Sequence, residues 1–166
     1  MARVGAKQLL VPSLLDRLID NDPHLMVDVD QSRAQIIRDL KTSVRRDLEN
    51  LLNTHLPWPT WHAGYEELEK SVLNYGLADF SAMAITSEDQ QRSFSHHVEE
   101  VVQRFETRLR NVSVDLVENE DSADRSLKLK IRALLYVEPE LEPIAFQSML
   151  EPASQAVIIE EDYYDG

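Results

Sequence analysis

Acidic side chains beside aromatic ones are the first residues in this sequence with types suited to catalysis. Glu66, Glu67 and Glu69 follow a segment that carries Trp58 and Trp61. Glycoside hydrolysis needs only two carboxylates at a suitable separation, one of them shielded from water, and an indole ring can stack on a sugar. Because the chain has 30 acidic residues, pairs also arise by chance. A lysozyme-like glycoside hydrolase that cleaves peptidoglycan is therefore one of two candidate functions; the other is given at the end of this section.

A histidine and a carboxylate at helical spacing are the residues most typical of a metal site in this chain. His97 and Glu100 lie three apart on a predicted helix and share a face, whereas His96 is expected to point elsewhere. A metal site needs at least a third ligand, and none is indicated. We therefore expect no metal.

Other catalytic signatures are absent from the sequence. There is no Cys, which excludes thiol nucleophiles and thiolate cages, and the four glycines form neither a P-loop nor a dinucleotide fingerprint. No Gly-x-Ser-x-Gly elbow occurs either. We expect a protein that is not an enzyme and has no cofactor and no small-molecule substrate.

The two tryptophans have a second interpretation. Trp58 and Trp61 lie in a segment rich in Pro and Gly, which predicts a loop. Large apolar rings on a loop either pack back onto the core or anchor another chain. Both roles would make the rings costly to remove.

Charge and composition limit the classes of partner. The chain has 166 residues, 17 Lys and Arg against 30 Asp and Glu, and a net charge of −13. Binding to phosphates needs clustered positive charge, so we expect neither a nucleic-acid partner nor an anionic membrane surface. The apolar stretch near the start is too short for a signal peptide or a membrane span. We expect a cytoplasmic protein that does not insert into membranes.

Helical periodicity dominates the first two thirds of the chain. A short amphipathic helix is predicted after Pro12, and a longer one over 32–53, where apolar residues recur every three or four positions. The outer face of that long helix is slightly basic and is either a solvated surface or a docking face for an acidic partner. Ser87 and Gln90 have the form of a capping box and predict a third helix that ends near Phe105.

The apolar period then changes from 3.6 to 2. Alternation over 112–116 and 127–135, with a polar turn between, predicts a β-hairpin, and a third strand is predicted over 144–150 after a connector at 138–143. The predicted fold is α+β, with N-terminal amphipathic helices packed on a small C-terminal antiparallel sheet. We expect a single domain over 1–166, with an N-terminal arm at 1–12 and an acidic tail at 152–166.

The tail contains a short β-prone run, Val157, Ile158 and Ile159, followed by acidic residues. One interpretation is an edge strand of the chain's own sheet, guarded against unwanted pairing by its charges. The other is a strand donated to the sheet of a neighbouring subunit.

Four runs of residues together resemble a known family. They are Leu14–Leu18 (LLDRL), Ser43–Thr54 (SVRRDLENLLNT), Ser71–Leu77 (SVLNYGL) and Phe105–Leu109 (FETRL). Their order and spacing are similar to those of the type VI secretion baseplate wedge subunits, the TssE family, which is shared with a wedge protein of contractile-tailed phages. The resemblance spans roughly residues 10 to 150, and it implies that the lysozyme label carried by phage relatives is a legacy of naming.

The same resemblance implies a function and a partner-binding site. The family has Glu-Pro-Arg where this chain has Glu106, Thr107 and Arg108, and by similarity Glu106 and Arg108 help to hold the subunit against other baseplate components. An internal ion pair that fastens helix to sheet is the alternative. The implied function is a scaffold that links the wedge to the contractile sheath and templates sheath assembly, with other wedge subunits and sheath proteins as partners. An exposed sheet edge is the expected sheath-facing surface.

Overall fold

The helices of the chain precede its strands, as the computed structural model shows. It describes residues 13–19, 24, 32–56, 66–78, 87–117, 127–137, 140–150 and 156–162. The elements are α1 (Leu14–Leu18), α2 (Arg33–Asn53), α3 (Glu66–Glu69), a 3-10 turn (Val72–Asn74), α4 (Glu88–Phe105), β1 (Leu109–Val117), β2 (Leu127–Val137), β3 (Glu140–Leu150) and β4 (Val157–Asp162). The predicted α+β fold is confirmed. No described helix is long and apolar enough to cross a membrane.

Serine residues cap the N-termini of α1, α2 and α4. The hydroxyl of Ser32 accepts a hydrogen bond from the Gln35 N–H at the start of α2, and Ser13 does the same for Asp16 in α1. At α4 both bonds of the predicted capping box are present, each 3.3 Å long. These bonds satisfy N–H groups that have no partner inside the helix, so the helix starts are set locally.

The sheet is antiparallel and its strands lie in chain order, β1-β2-β3-β4. The predicted hairpin is confirmed, with Val114 opposite Ile131. The expected start of the third strand is wrong, because β3 begins at Glu140 instead of Ile144. Glu140 and Glu142 bind Arg33 and Lys41 of α2 at 3.2 and 2.9 Å. Backbone pairing with β2, where Glu140 lies opposite Val137 and Glu142 opposite Leu135, outweighs the low β-propensity of this acidic stretch.

One irregularity bends β1 near its start. The register shifts between Arg110 and Ser113, and Asn111 adopts a positive φ of 50°. Asn tolerates this left-handed conformation better than most residues, so it is suited to a β-bulge. The bulge places two exposed residues in succession before the buried alternation resumes at Val112.

The core lies between one face of the sheet and the two long helices, with α4 packed mainly on β1 and α2 mainly on β4. Leu48 and Val98 from the helices and Ile131 and Phe146 from the sheet are almost fully buried. Burying a side chain of this size contributes about 1.5–3 kcal/mol relative to leaving it exposed. The apolar periodicity of both helices therefore faces the sheet, as predicted.

Gly76 allows the segment after the 3-10 turn to pass close to the end of α2. Its φ is +124°, and a Cβ at this position would lie 2.2 Å from the carbonyl oxygen of Thr54. The Leu77 N–H donates to that same oxygen at 2.8 Å, and the Leu56 N–H donates to the Leu77 carbonyl at 2.9 Å. Only glycine fits here without strain.

Candidate functional site

The junction between α4 and β1 is closed by a two-point ion pair. The Arg108 guanidinium contacts the Glu106 carboxylate through Nε and Nη2, at 2.7 and 2.6 Å. The Arg108 backbone N–H also donates to Glu106 Oε1 at 3.2 Å. Such a planar fork restricts both side chains and gives a strong, oriented hydrogen-bonded pair. In the isolated chain these two residues therefore form the internal pair that was the alternative interpretation.

The same arginine also reaches the long helix α2. Arg108 Nη2 lies 2.6 Å from Asp47 Oδ2, and Nη1 donates to Ser43 Oγ at 3.1 Å. Asp47 and Ser43 lie one turn apart on α2, on one face of the helix. Arg108 thus joins the start of the sheet to α2.

The short helix α1 is attached through Asp16. Ser13 and Ser43 both donate hydroxyl hydrogen bonds to Asp16 Oδ2, at 2.6 and 2.7 Å. Arg46 donates to Asp16 Oδ1 at 2.8 Å and lies 3.2 Å from Asp47. We call Asp16, Ser43, Arg46, Asp47, Glu106 and Arg108 the junction network.

Hydrogen bonds within the network favour the charged forms of Asp16 and Arg108. Burial alone would raise the pKa of Asp16, but hydrogen bonds from Ser13, Ser43 and Arg46 lower that pKa to about 2. The hydrogen bond to Glu106, assisted by Asp47, raises the pKa of Arg108. Asp16 and Arg108 are therefore both ionised at neutral pH.

The junction network limits how much of the Glu106 and Arg108 side chains is exposed to a partner subunit. Glu106 is 7% exposed, so it has little surface for a neighbouring subunit, whereas Arg108 is partly exposed. Thr107 lies between the two residues, and the junction is held by side-chain contacts from α2. Contact of Glu106 and Arg108 with another baseplate component stays a prediction.

The β-prone run near the C-terminus lies in the chain's own sheet. Strand β4 pairs with β3, with Ile158 opposite Met149. Val157 and Ile159 are buried in the core, and only Ile158, 57% exposed, faces outward. Of the two interpretations of this run, the structure shows the edge strand. Part of the expected acidic tail, residues 157–162, is therefore an element of the fold.

A groove of about 420 Å³ lies between α4 and β1. Strand β1 pairs with β2 on one side, and among the described residues no strand pairs with its other side. Near the bulge Gln103 donates to the Val112 carbonyl at 3.4 Å. The groove is lined by Glu88, Gln91, Arg92, Ser95, His96, Glu99, Val114, Asp115 and Leu116.

The residues considered for metal binding do not come together as a site in the described part of the chain. Within it, no group of three or more His, Asp and Glu side chains is arranged to hold a metal. The expectation that His96 points away from Glu100 is wrong, since its Nε2 lies 3.4 Å from Glu100 Oε1; residues four apart on a helix are neighbours. Trp58 and Trp61 lie outside the described residues, and Glu67 is exposed.

Four members of the junction network were not predicted as site residues from the sequence. They are Asp16, Ser43, Arg46 and Asp47. All four lie within runs that carry the family resemblance, Leu14–Leu18 and Ser43–Thr54. Their polar side chains at positions adjoining the apolar stripe were the available signal. This pattern does not predict which distant side chain each of the four would contact.

Comparison with known proteins agrees with this architecture. The family model described as "Baseplate wedge protein gp25" matches residues 38–140, more than half of the chain. No curated protein gives a significant match. The matched segment includes most of α2, all of α4, the junction and the central hairpin. The family is one of structural baseplate proteins and does not favour the lysozyme-like alternative. The chain belongs to the baseplate wedge gp25 family, of which the TssE subunits are members.

Proposed function

We propose that this baseplate protein serves a type VI secretion machine, where it links the wedge to the contractile sheath and templates sheath assembly. The family gives the structural role in a phage-tail-like baseplate. The type VI assignment rests on the four runs of resemblance. The proposed sheath contact rests on one observation: β1 is an edge strand of the sheet, and a groove lies beside it.

An antiparallel sheet edge presents backbone N–H and C=O groups that a further strand can pair with. Beyond the bulge, β1 continues through Val114 to Val117 with helix α4 as the wall of the groove. A sheath strand that adds to β1 would continue the ladder and bury its side chains against α4. Growth of the sheath then begins on a preformed, rigid template.

The predicted partner-binding residues have different places in this proposal. Glu106 and Arg108 act by holding the start of β1 against α2, and the exposed part of Arg108 is the portion available to a neighbouring wedge subunit. Ile158 is a contact on the outward face of the sheet. Trp58 and Trp61 remain proposed anchors for another chain.

The test fills the groove with a large side chain. Gln91 lies in the groove, whereas Ser93 on the same helix is exposed and does not line it. We expect Gln91→Trp to keep co-purification with wedge subunits and to lose sheath assembly, and Ser93→Trp to keep both. A folded Gln91→Trp protein that still supports normal sheath assembly would refute the β1 contact. Failure of the unchanged protein to co-purify with any wedge or sheath subunit of a type VI system would refute the wider proposal.

A further inference from the structure

Side chains of α2 occupy the outer edge of β4. The carboxamide of Asn53 accepts a hydrogen bond from the Val157 N–H at 2.8 Å and donates one to the Val157 carbonyl at 2.8 Å. Its Nδ2 also donates to the Glu49 carbonyl within α2 at 2.7 Å. The two hydrogens of the amide nitrogen and its carbonyl oxygen are thus all used.

This arrangement reproduces the pairing of a strand with a single side chain. In an antiparallel ladder, a hydrogen-bonded residue pair exchanges two N–H···O bonds. Asn53 makes the same two bonds to Val157, so it occupies the place where a residue of a fifth strand would lie. The bond to Glu49 fixes the carboxamide in the orientation that this requires.

A second side chain continues the same edge. Arg45 Nη1 donates to the Ile159 carbonyl at 3.3 Å, and its guanidinium lies 3.6 Å from Glu49. Residues two apart in a strand direct their backbone groups to the same side, so Val157 and Ile159 present successive positions of one edge. Asn53 therefore covers the N–H and the carbonyl of Val157, and Arg45 covers the carbonyl of the next outward residue, Ile159.

We propose that Asn53 and Arg45 form an edge cap that prevents strand addition at β4, so that a partner strand joins the sheet only at β1. A sheet with both edges open would let β1 of one copy pair with β4 of the next, which is a head-to-tail contact that does not close. The cap keeps the chain from such self-assembly. It extends the proposed function by giving the template a single growing side.

The experiment removes the cap and measures self-association of the full chain. Asn53→Ala and Arg45→Ala are combined, and Asn50→Ala with Arg38→Ala, both exposed on the same helix, is the matched control. Light scattering after size exclusion is recorded over a hundredfold range of concentration. We expect the wild-type and control proteins to stay monomeric and the uncapped protein to form oligomers that grow with concentration. The Val157 amide should exchange its hydrogen at least tenfold faster in the uncapped protein.

A further variant separates strand pairing from general aggregation. Adding Gln91→Trp to the uncapped protein fills the groove beside β1 and should restore the monomer. Oligomers that persist despite this substitution would overturn the proposal, as would an uncapped protein that has wild-type circular dichroism and remains monomeric.

Milder variants keep the test decisive if the double variant does not fold. Asn53→Asp keeps the acceptor for the Val157 N–H but loses the donor to its carbonyl, and Arg45→Ala removes only the second contact. We expect both to self-associate more than wild type and less than the fully uncapped protein. Monomeric behaviour of both, with an unchanged exchange rate at Val157, would refute the cap. No sheath subunit is used, so this inference and the proposed function can fail separately.

Discussion

Two sets of ion pairs in this protein use the same chemical groups in different surroundings. In the junction network the Arg108 and Glu106 side chains are 24% and 9% exposed. On the outward face of the sheet, Arg132 pairs with Asp115, and these side chains are 38% and 55% exposed. The first set joins α1, α2 and β1, whereas the second joins strands of a sheet that is already hydrogen-bonded.

The difference shows where charge matters for this fold. A buried charge that loses its partner keeps the full cost of having left water, whereas an exposed one is rehydrated. Pairs at the surface typically contribute less than about 1 kcal/mol. We therefore expect the junction network to determine stability and the outward pairs to have little effect.

Removing the shared arginine should have the largest effect. Arg108→Ala leaves Glu106 and Asp47 facing each other in a largely buried position, and we expect a loss of about 3 kcal/mol in the free energy of unfolding. Urea unfolding measures this loss. Arg110→Ala, at an exposed position two residues further along the chain, is the control and should change it by less than about 0.5 kcal/mol. Equal effects of the two substitutions would contradict the comparison.

Neutralising Asp16 should have the next largest effect. Asp16→Asn weakens three hydrogen bonds, one of them to Arg46, and hydrogen bonds to charged groups contribute about 1.5–3 kcal/mol each in favourable cases. We expect a loss of about 2 kcal/mol and faster amide exchange in α1. The matched control is Asp115→Asn on the outward face. A larger loss for the control than for Asp16→Asn would refute the ranking.

Acid should weaken the junction network through the same carboxylate. The pKa of Asp16 is lowered from 3.8 to about 2 in the folded chain. A lowered pKa contributes stability that is present above the unfolded value and lost as the pH falls from about 4 to about 2. After allowance for screening by solvent, we expect this contribution to be about 1 kcal/mol. Unfolding curves of wild type and Asp16→Asn should converge over this range, and a constant difference down to pH 2 would contradict the assignment.

The smallest effect is expected on the outward face. Arg132→Ala removes the pair with Asp115, and we expect a change of no more than about 0.5 kcal/mol, further reduced in 0.5 M salt by screening. Thermal unfolding at low and high salt measures it. A loss above about 2 kcal/mol would show that the outward pairs are as important as the junction network.

Much of the fold was predictable because its signals are local. The capping box at Ser87 and the apolar period of α2 indicated two helices that the structure contains. The alternation around Ile131 indicated the central strand. The start of β3 was missed because Glu140 and Glu142 have low β-propensity, and their pairing with Val137 and Leu135 of β2 depends on the register of the whole sheet.

The candidate sites were predictable only in part. Glu106 and Arg108 were identified through resemblance, but the partner Asp47 lies 61 residues from Arg108 in the chain. Val157 and Ile159 were recognised as β-prone, but nothing near them indicated Asn53, which is 104 residues away. Spacing along the chain carries no information about contacts over such separations.

The sequence by itself determined the long helices and the central hairpin, because helix caps and the periods of 3.6 and 2 depend on residues within a few positions of one another. Tertiary structure alone decided that the Glu106 and Arg108 pair is joined to α2 and that the edge of β4 is covered. Those outcomes depend on which distant polar groups are brought within hydrogen-bonding distance when the apolar faces pack together. The physical reason is that burial positions the helices, and only then does each charge or carboxamide acquire its partner.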